Sequence, residues 1–177
     1  METSNLAELY DAPPIAWDKV EARLDVGFEQ GPGTNGPGRH TTWLTSINAD
    51  GSPHANAVGA IWADGCVWFV TGNSTRRGRN IARDPRCALA LSLREFDLVI
   101  EGRAAPVTDS ADVARLARRW AEDEGWPCEV DESGTALTAP YSAQSAGPPP
   151  WHVFRIDAQS AHAVQTVEPY GATRWRF

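Results

Sequence analysis

The sequence predicts a mainly β chain with some helix: antiparallel strands closed into a barrel, with helices on its flanks. Three observations carry that prediction. Asp50-Gly51 and Asp64-Gly65 each separate two β-rich runs, the strongest short-range signature of a hairpin. About seven β-rich runs are set against roughly three helical stretches, a balance suited to a closed antiparallel barrel. There is no βαβ alternation and no GxGxxG, so a doubly wound dinucleotide fold is excluded.

The elements follow in chain order. Residues 16–28 place Val20, Leu24 and Gly27/Phe28 on one side of a helix. Residues 31–38 hold four glycines and two prolines in eight positions, a loop that cannot keep regular structure. This divides the chain into an N-terminal helix and Gly/Pro loop over 1–38 and a barrel over 39–177. Residues 41–49 and 52–62 read as a hairpin about Asp50-Gly51, and 66–71 as the third strand, after Asp64-Gly65. A short helix opens around residues 74–79 and is ended by Pro85. Strands follow at 87–93 and 98–108. Residues 110–124 form a helix capped by Asp109 or Ser110, with Val113, Leu116, Ala117 and Trp120 on its apolar face. Residues 126–150 are rich in Gly, Pro, Ser and Thr and read as a long loop or lid. Two more strands are expected at 151–157 and 161–166. The last four residues, Arg174-Trp175-Arg176-Phe177, are too aromatic for a frayed end, and the tail is expected to dock.

Composition narrows the function. The chain has 177 residues, 42% hydrophobic and 22% charged, enough for one domain with a real core. A net charge of −7 argues against a nucleic-acid partner. No apolar run approaches the ~18 residues of a membrane helix, and the first residues lack the pattern of a secretory signal. Cys66, Cys87 and Cys128 show no CxxC spacing, which suits a reducing cytoplasm and no disulfide framework. His40, His54, His152 and His162 are scattered, so no metal site is expected. No Ser-His-Asp set or nucleophile elbow appears. Trp43, Trp62 and Trp68 alternate with other residues in strands and read as core or interface.

One segment runs against the acidic balance. Residues 76–86 hold five arginines and one aspartate. Hydroxyls at Ser74 and Thr75 precede the arginines, at the opening of a helix that follows a buried-looking strand. Hydroxyls, backbone N–H groups and the positive end of a helix favour a small anion, and phosphate above all. The alternative is a solvated helix face, the usual fate of a charge run.

The block Phe69-Val70-Thr71, Ser74-Thr75-Arg76-Arg77-Gly78-Arg79-Asn80-Ile81 and Asp84-Pro85-Arg86-Cys87-Ala88-Leu89 resembles the phosphate-binding segment of the pyridoxamine 5'-phosphate oxidase-like split β-barrels. That superfamily includes flavin- and deazaflavin-dependent oxidoreductases. Leu44-Thr45-Ser46-Ile47 with Asp50-Gly51-Ser52-Pro53-His54 is similar to its first hairpin, and Leu98-Val99-Ile100-Glu101-Gly102-Arg103-Ala104 to its xGxA strand. The similarity spans about residues 40–125.

The resemblance implies an FMN-binding type of split barrel that works as a homodimer. Thr75, Arg76 and Arg77 would hold the cofactor phosphate, with Thr71, Arg79 and Asn80 beside them. Arg77 stands where the strict oxidases carry lysine. Asn56, Ala57 and Val58 would lie along the ring edge, and Arg174, Trp175 and Arg176 of the tail would help close the site against the partner subunit; the alternative for the tail is a last strand that completes the barrel without touching the ligand. The implied activity is hydride transfer between coenzyme F-420 or FMN and a small organic substrate. Arg79-Asn80 favours the deazaflavin, as do Arg83 and Arg86, which can meet its polyglutamate tail. No acid–base pair stands out, as expected where the cofactor carries the chemistry. The substrate set of true pyridoxamine phosphate oxidases is not visible, which argues against vitamin B6 chemistry. The other readings are an FMN-dependent oxidase of that type, a flavin or haem carrier without turnover, and an interaction domain whose basic cluster meets an acidic partner.

Overall fold

In a computed structural model, which describes residues 1–28, 41–142 and 146–177, the strands order themselves around β9. The strands are β1 (Glu2–Asn5), β2 (Thr41–Ile47), β3 (Pro53–Ala63), β4 (Cys66–Thr71), β5 (Arg86–Ser92), β6 (Phe96–Val107), β7 (Glu129–Val130), β8 (Leu137–Thr138), β9 (His152–Gln165) and β10 (Ala172–Arg176). The helices are α1 (Trp17–Asp25), α2 (Arg76–Arg83) and α3 (Ser110–Glu122). The order β9-β4-β3-β2-β5-β6 closes back on β9 through an antiparallel β6–β9 ladder. The result is a six-stranded barrel, with β10 and β1 extending from the far half of β9. Among the described residues no helix is long and apolar enough to cross a membrane.

Alternation along the strands sets what lies inside. Leu44, Leu89, Leu98, Ile100 and Ile156 point into the barrel and are at most 1% exposed. β4 is buried on both faces. Val67 and Phe69 face the barrel core, while Trp68 and Val70 face α3. That explains its near-continuous apolar run. α3 supplies Val113, Leu116, Ala117 and Trp120 to this second core, and Asp109 caps it, its side chain accepting from Ala111 N and Asp112 N at 3.0 Å.

The structure revises several expectations. The two strands expected at 151–157 and 161–166 are one 14-residue strand, β9, which pairs with β4 near its start and β10 near its end. The lid segment holds the small β7–β8 hairpin, and Trp151 bridges to Leu137 by hydrogen bonds of 2.8 and 2.9 Å. The N-terminal segment is stitched into the barrel sheet by β1, and Val20, Leu24 and Phe28 join the barrel core. The Gly/Pro loop at 31–38 lies outside the described residues.

Candidate functional site

The cationic segment begins where β4 ends. Thr71 is fully buried, and its hydroxyl lies 3.0 Å from that of Thr75. Thr75 caps α2: its Oγ1 accepts from Gly78 N at 3.0 Å and donates to Gly72 O at 2.8 Å. Gly78 is required by a close approach, since a Cβ there would sit 2.4 Å from Gly72 O. The start of α2 is thereby locked onto the turn leaving β4, and its first-turn N–H groups have no helical partner of their own.

The five arginines separate into different roles. Arg86 pairs with Asp84 at 2.6 Å and holds that carboxyl down at about 2. Arg83 donates to Ile47 O, and Arg79 to Ser74 O. Arg76 is exposed, and its charge adds to the Ser52 hydrogen bonds that lower the Asp50 pKa. Arg77 is different: it is 3% exposed, and among the described residues its side chain makes one hydrogen bond, a long contact of 3.4 Å from Nη1 to Ala57 O. Its buried Nε has no hydrogen-bond partner, and no described carboxylate pairs with it. Burial pulls its pKa down to about 10, so at neutral pH it remains a buried cation.

Arg77 opens onto a cleft of about 210 Å3. Ala57, Val58, Gly59 and Ala60 of β3 form one wall, Val70 of β4 adds to it, and Trp120, Glu124, Trp126, Ser142 and Ala146 form the other. The second wall depends on Gly125, whose left-handed backbone (φ 68°) turns the chain out of α3. Trp126 N then donates to Trp120 O at 3.0 Å, and its indole N–H to Tyr141 O at 2.7 Å. The Trp120–Trp126 and Trp126–Trp151 ring centroids are 6.3 and 5.5 Å apart. Beside the cleft, Asn56 Oδ1 is buried without a hydrogen-bond partner.

The expected site residues are therefore only partly gathered. Ala57, Val58 and Arg77 line the cleft, Asn56 adjoins Ala57, and Thr71 and Thr75 hold the turn beneath it. Asn80 is 4% exposed, and its Nδ2 donates to Ser46 Oγ and Asn48 Oδ1, which ties α2 to β2. Arg79, Arg83 and Arg86 are likewise engaged locally and do not form a free cationic track. Trp175 is a correction. Its ring is fully buried in the barrel core, 5.1 Å from Trp17, and has no surface to offer a ligand. The tail is docked as a strand, with Arg176 3.8 Å from Glu2 and Arg174 half-buried. Trp175 pairs with Ala161, whereas Thr71 pairs with His152. Nine strand residues separate those levels, roughly 30 Å, so the tail does not reach this chain's own cleft.

The residues that sequence reasoning missed are Glu124, Trp126, Ser142 and Ala146. Trp120 was read only as core. Gly125 was the available signal, because a glycine just past a helical pattern marks a turn that brings the next residues back. The thiols take no part. Burial pushes Cys87 up to about 12 and Cys128 up to about 11, and raises Cys66 as well, so all three stay protonated at neutral pH.

A family model for pyridoxamine 5'-phosphate oxidase matches residues 37–165. No curated protein matches the chain. Solved structures match in fold. PhzG from Burkholderia lata 383, solved with tetrahydrophenazine-1-carboxylic acid, gives a TM-score of 0.58 at 14% identity, over 95% of this chain and 90% of its own. A heme binding protein from Mycobacterium smegmatis gives 0.58 at 16% identity, over 91% of this chain and 58% of its own. An F420 reductase gives 0.51 at 18% identity, over 80% and 94%. At these identities the likeness concerns the fold.

Proposed function

The chain belongs to the pyridoxamine 5'-phosphate oxidase family, and from that premise we propose that it is an oxidoreductase whose Arg77 cleft takes the phosphate and ring of a flavin-type cofactor, FMN or coenzyme F-420. One observation carries the reading. A guanidinium that is 3% exposed, with an unpartnered Nε and no carboxylate beside it among the described residues, is costly to bury unless an anion completes it. Arg77 and the exposed Arg76 at the start of α2 fit a phosphate, and the apolar strand wall from Ala57 to Ala60 fits a flat ring. When bound, such a cofactor supplies hydride transfer.

The residues of the chain bind, orient and exclude water. Arg77 donates charge-assisted hydrogen bonds from a low-dielectric position, where they are strongest. Thr75 and Gly78 fix where the guanidinium starts. Trp120, Trp126 and Ala146 cover the cleft and keep water from the reacting region. Arg86 is ion-paired with Asp84, while Arg83 keeps its charge for a polyglutamate tail, and F-420 and FMN are separated by titration. A haem reading has less support: the described residues of the cleft lining include no His, Cys, Met or Tyr to hold iron.

We propose that two copies associate through the outer barrel face. Trp43, 54% exposed, stands beside Ala57 on one side and Ala90 on the other, and Ala90 leads to Val99 and His162 on neighbouring strands. Val164, 51% exposed, extends the patch. This apolar row starts at the cleft, so a second copy seated on it would border the site. A substrate and a cytoplasmic setting complete the proposal.

The test is calorimetric titration of FMN and F-420 into the wild type and the Arg76→Ala/Arg77→Ala double variant. Each arginine is expected to contribute about 1.5–3 kcal/mol, so the double variant should bind more than tenfold more weakly, at ~1.4 kcal/mol per decade. Equal affinity in both proteins would remove the assignment.

A further inference from the structure

The strand wall of the cleft has a notch in it. Side chains at 57, 59 and 61 share one face of β3, while Val58 and Ala60 belong to the barrel core on the other. Ile61 is 4% exposed and packs into the core beneath α3. Ala57 is half-buried, and its carbonyl meets Arg77. Between them Gly59 is exposed, in the interior of an 11-residue strand.

Glycine weakens a strand interior, and there it commonly marks a close approach of something to the backbone. Among the described glycines, Gly59 alone has neither a left-handed backbone nor a neighbour that a Cβ would strike. A Cβ at 59 meets no atom of the chain within 4 Å. The fold therefore accepts a side chain there, and what the glycine leaves free is space in the cleft. The strands also part at this point. β3 and β4 pair over Ala60–Ala63, and Gly59 and Val70, which would form the next pair, both line the cleft instead. Arg77, 3% exposed and with its Nε unpartnered, lines the same cleft. Bare backbone beside a buried cation suits a ligand with a flat body and an anionic end.

We propose that Gly59 is the residue that sets the fit of the cofactor ring: its missing side chain lets the flat ring lie directly on the β3 backbone, facing Trp120 and Trp126. This rests on the reading of the Arg77 end as the cofactor phosphate site. Contact over the whole ring face removes apolar area from water and gains dispersion. A methyl group at 59 lifts the ring off the strand, and a branched side chain closes the notch.

The experiment reads cofactor affinity together with the stability of the protein alone. Wild type, Gly59→Ala, Gly59→Val and Arg77→Met are titrated by calorimetry with whichever of FMN or F-420 the wild type takes. Each is also melted without it. Gly59→Val should weaken binding at least tenfold, and Gly59→Ala by a smaller factor, since it fills less of the notch. Both should melt level with wild type or up to about 4 °C above it, because the added atoms strike nothing and suit a strand better. A loss under tenfold in Gly59→Val, with Arg77→Met weakened, overturns the inference and leaves the phosphate reading standing. Affinity unchanged in Gly59→Val and Arg77→Met alike removes both. A melting temperature below wild type in both Gly59 variants makes the glycine structural and overturns the inference. So does a smaller mass by light scattering in Gly59→Val with affinity retained, which gives the notch to a second copy. A protein that takes neither cofactor sinks the reading of the Arg77 end, and the inference with it.

Discussion

At the scale of single residues, Arg77 sets stability against binding. Its charge is buried, and no carboxylate among the described residues compensates it. Replacing it with an apolar side chain of similar length should stabilise the protein while destroying the anion site. Arg77→Met is expected to raise the melting temperature of the cofactor-free protein by about 2–4 °C, the shift that ~1 kcal/mol produces at this size. Differential scanning calorimetry checks this, and a fall instead would mean that the guanidinium is already satisfied. The pH dependence has a definite sign. Burial holds the folded pKa down at about 10, below that of the unfolded chain. The cost is therefore fully present below about pH 10 and is relieved as pH rises above it. Wild type should gain stability relative to Arg77→Met over that window. Composition gave this arginine only as one of five, and the family resemblance paired it with Arg76. Burial separated it from the others, and burial is set by where α2 docks, which no local pattern encodes.

At the scale of elements, α2 and the tail respond differently to change. α2 is short and depends on its cap. Thr75→Ala removes the acceptor for Gly78 N and the contact to Thr71, at about 1 kcal/mol. It should also weaken cofactor binding severalfold, because the cap fixes the start of the helix that carries Arg77. A lower melting temperature with unchanged affinity would sever the cap from the site. The tail is structural within its own chain. Trp175→Ala should cost about 3–5 kcal/mol, as for a fully buried tryptophan, and this appears in the cofactor-free protein by chemical denaturation. A loss of cofactor affinity with stability retained would return Trp175 to the ligand. The hairpins at Asp50-Gly51 and Asp64-Gly65 were legible because turn chemistry is local. The joining of β9 into one strand and the pairing of β1 with β10 were not, since both depend on partners more than a hundred residues away in the sequence or on a strand paired along both edges.

At the scale of the whole molecule, the barrel, its flanking helices and the family were legible from two turns and one cationic motif. The second wall of the cleft was not, because it is assembled from α3 and a segment whose composition reads as loop. The outer face from Ala57 through Trp43 to His162 makes the assembly testable. Wild type should scatter light as a dimer, and Trp43→Glu should shift it toward monomer by placing a charge in the apolar patch. A wild type that is monomeric at micromolar concentration would remove the interface. The most direct test of the central claim is a crystal structure of the protein grown with FMN or F-420. The account predicts a phosphate oxygen within about 3 Å of the Arg77 guanidinium, with the ring against residues 57–60. A cofactor phosphate bound elsewhere, with Arg77 still touching only Ala57 O, would contradict it.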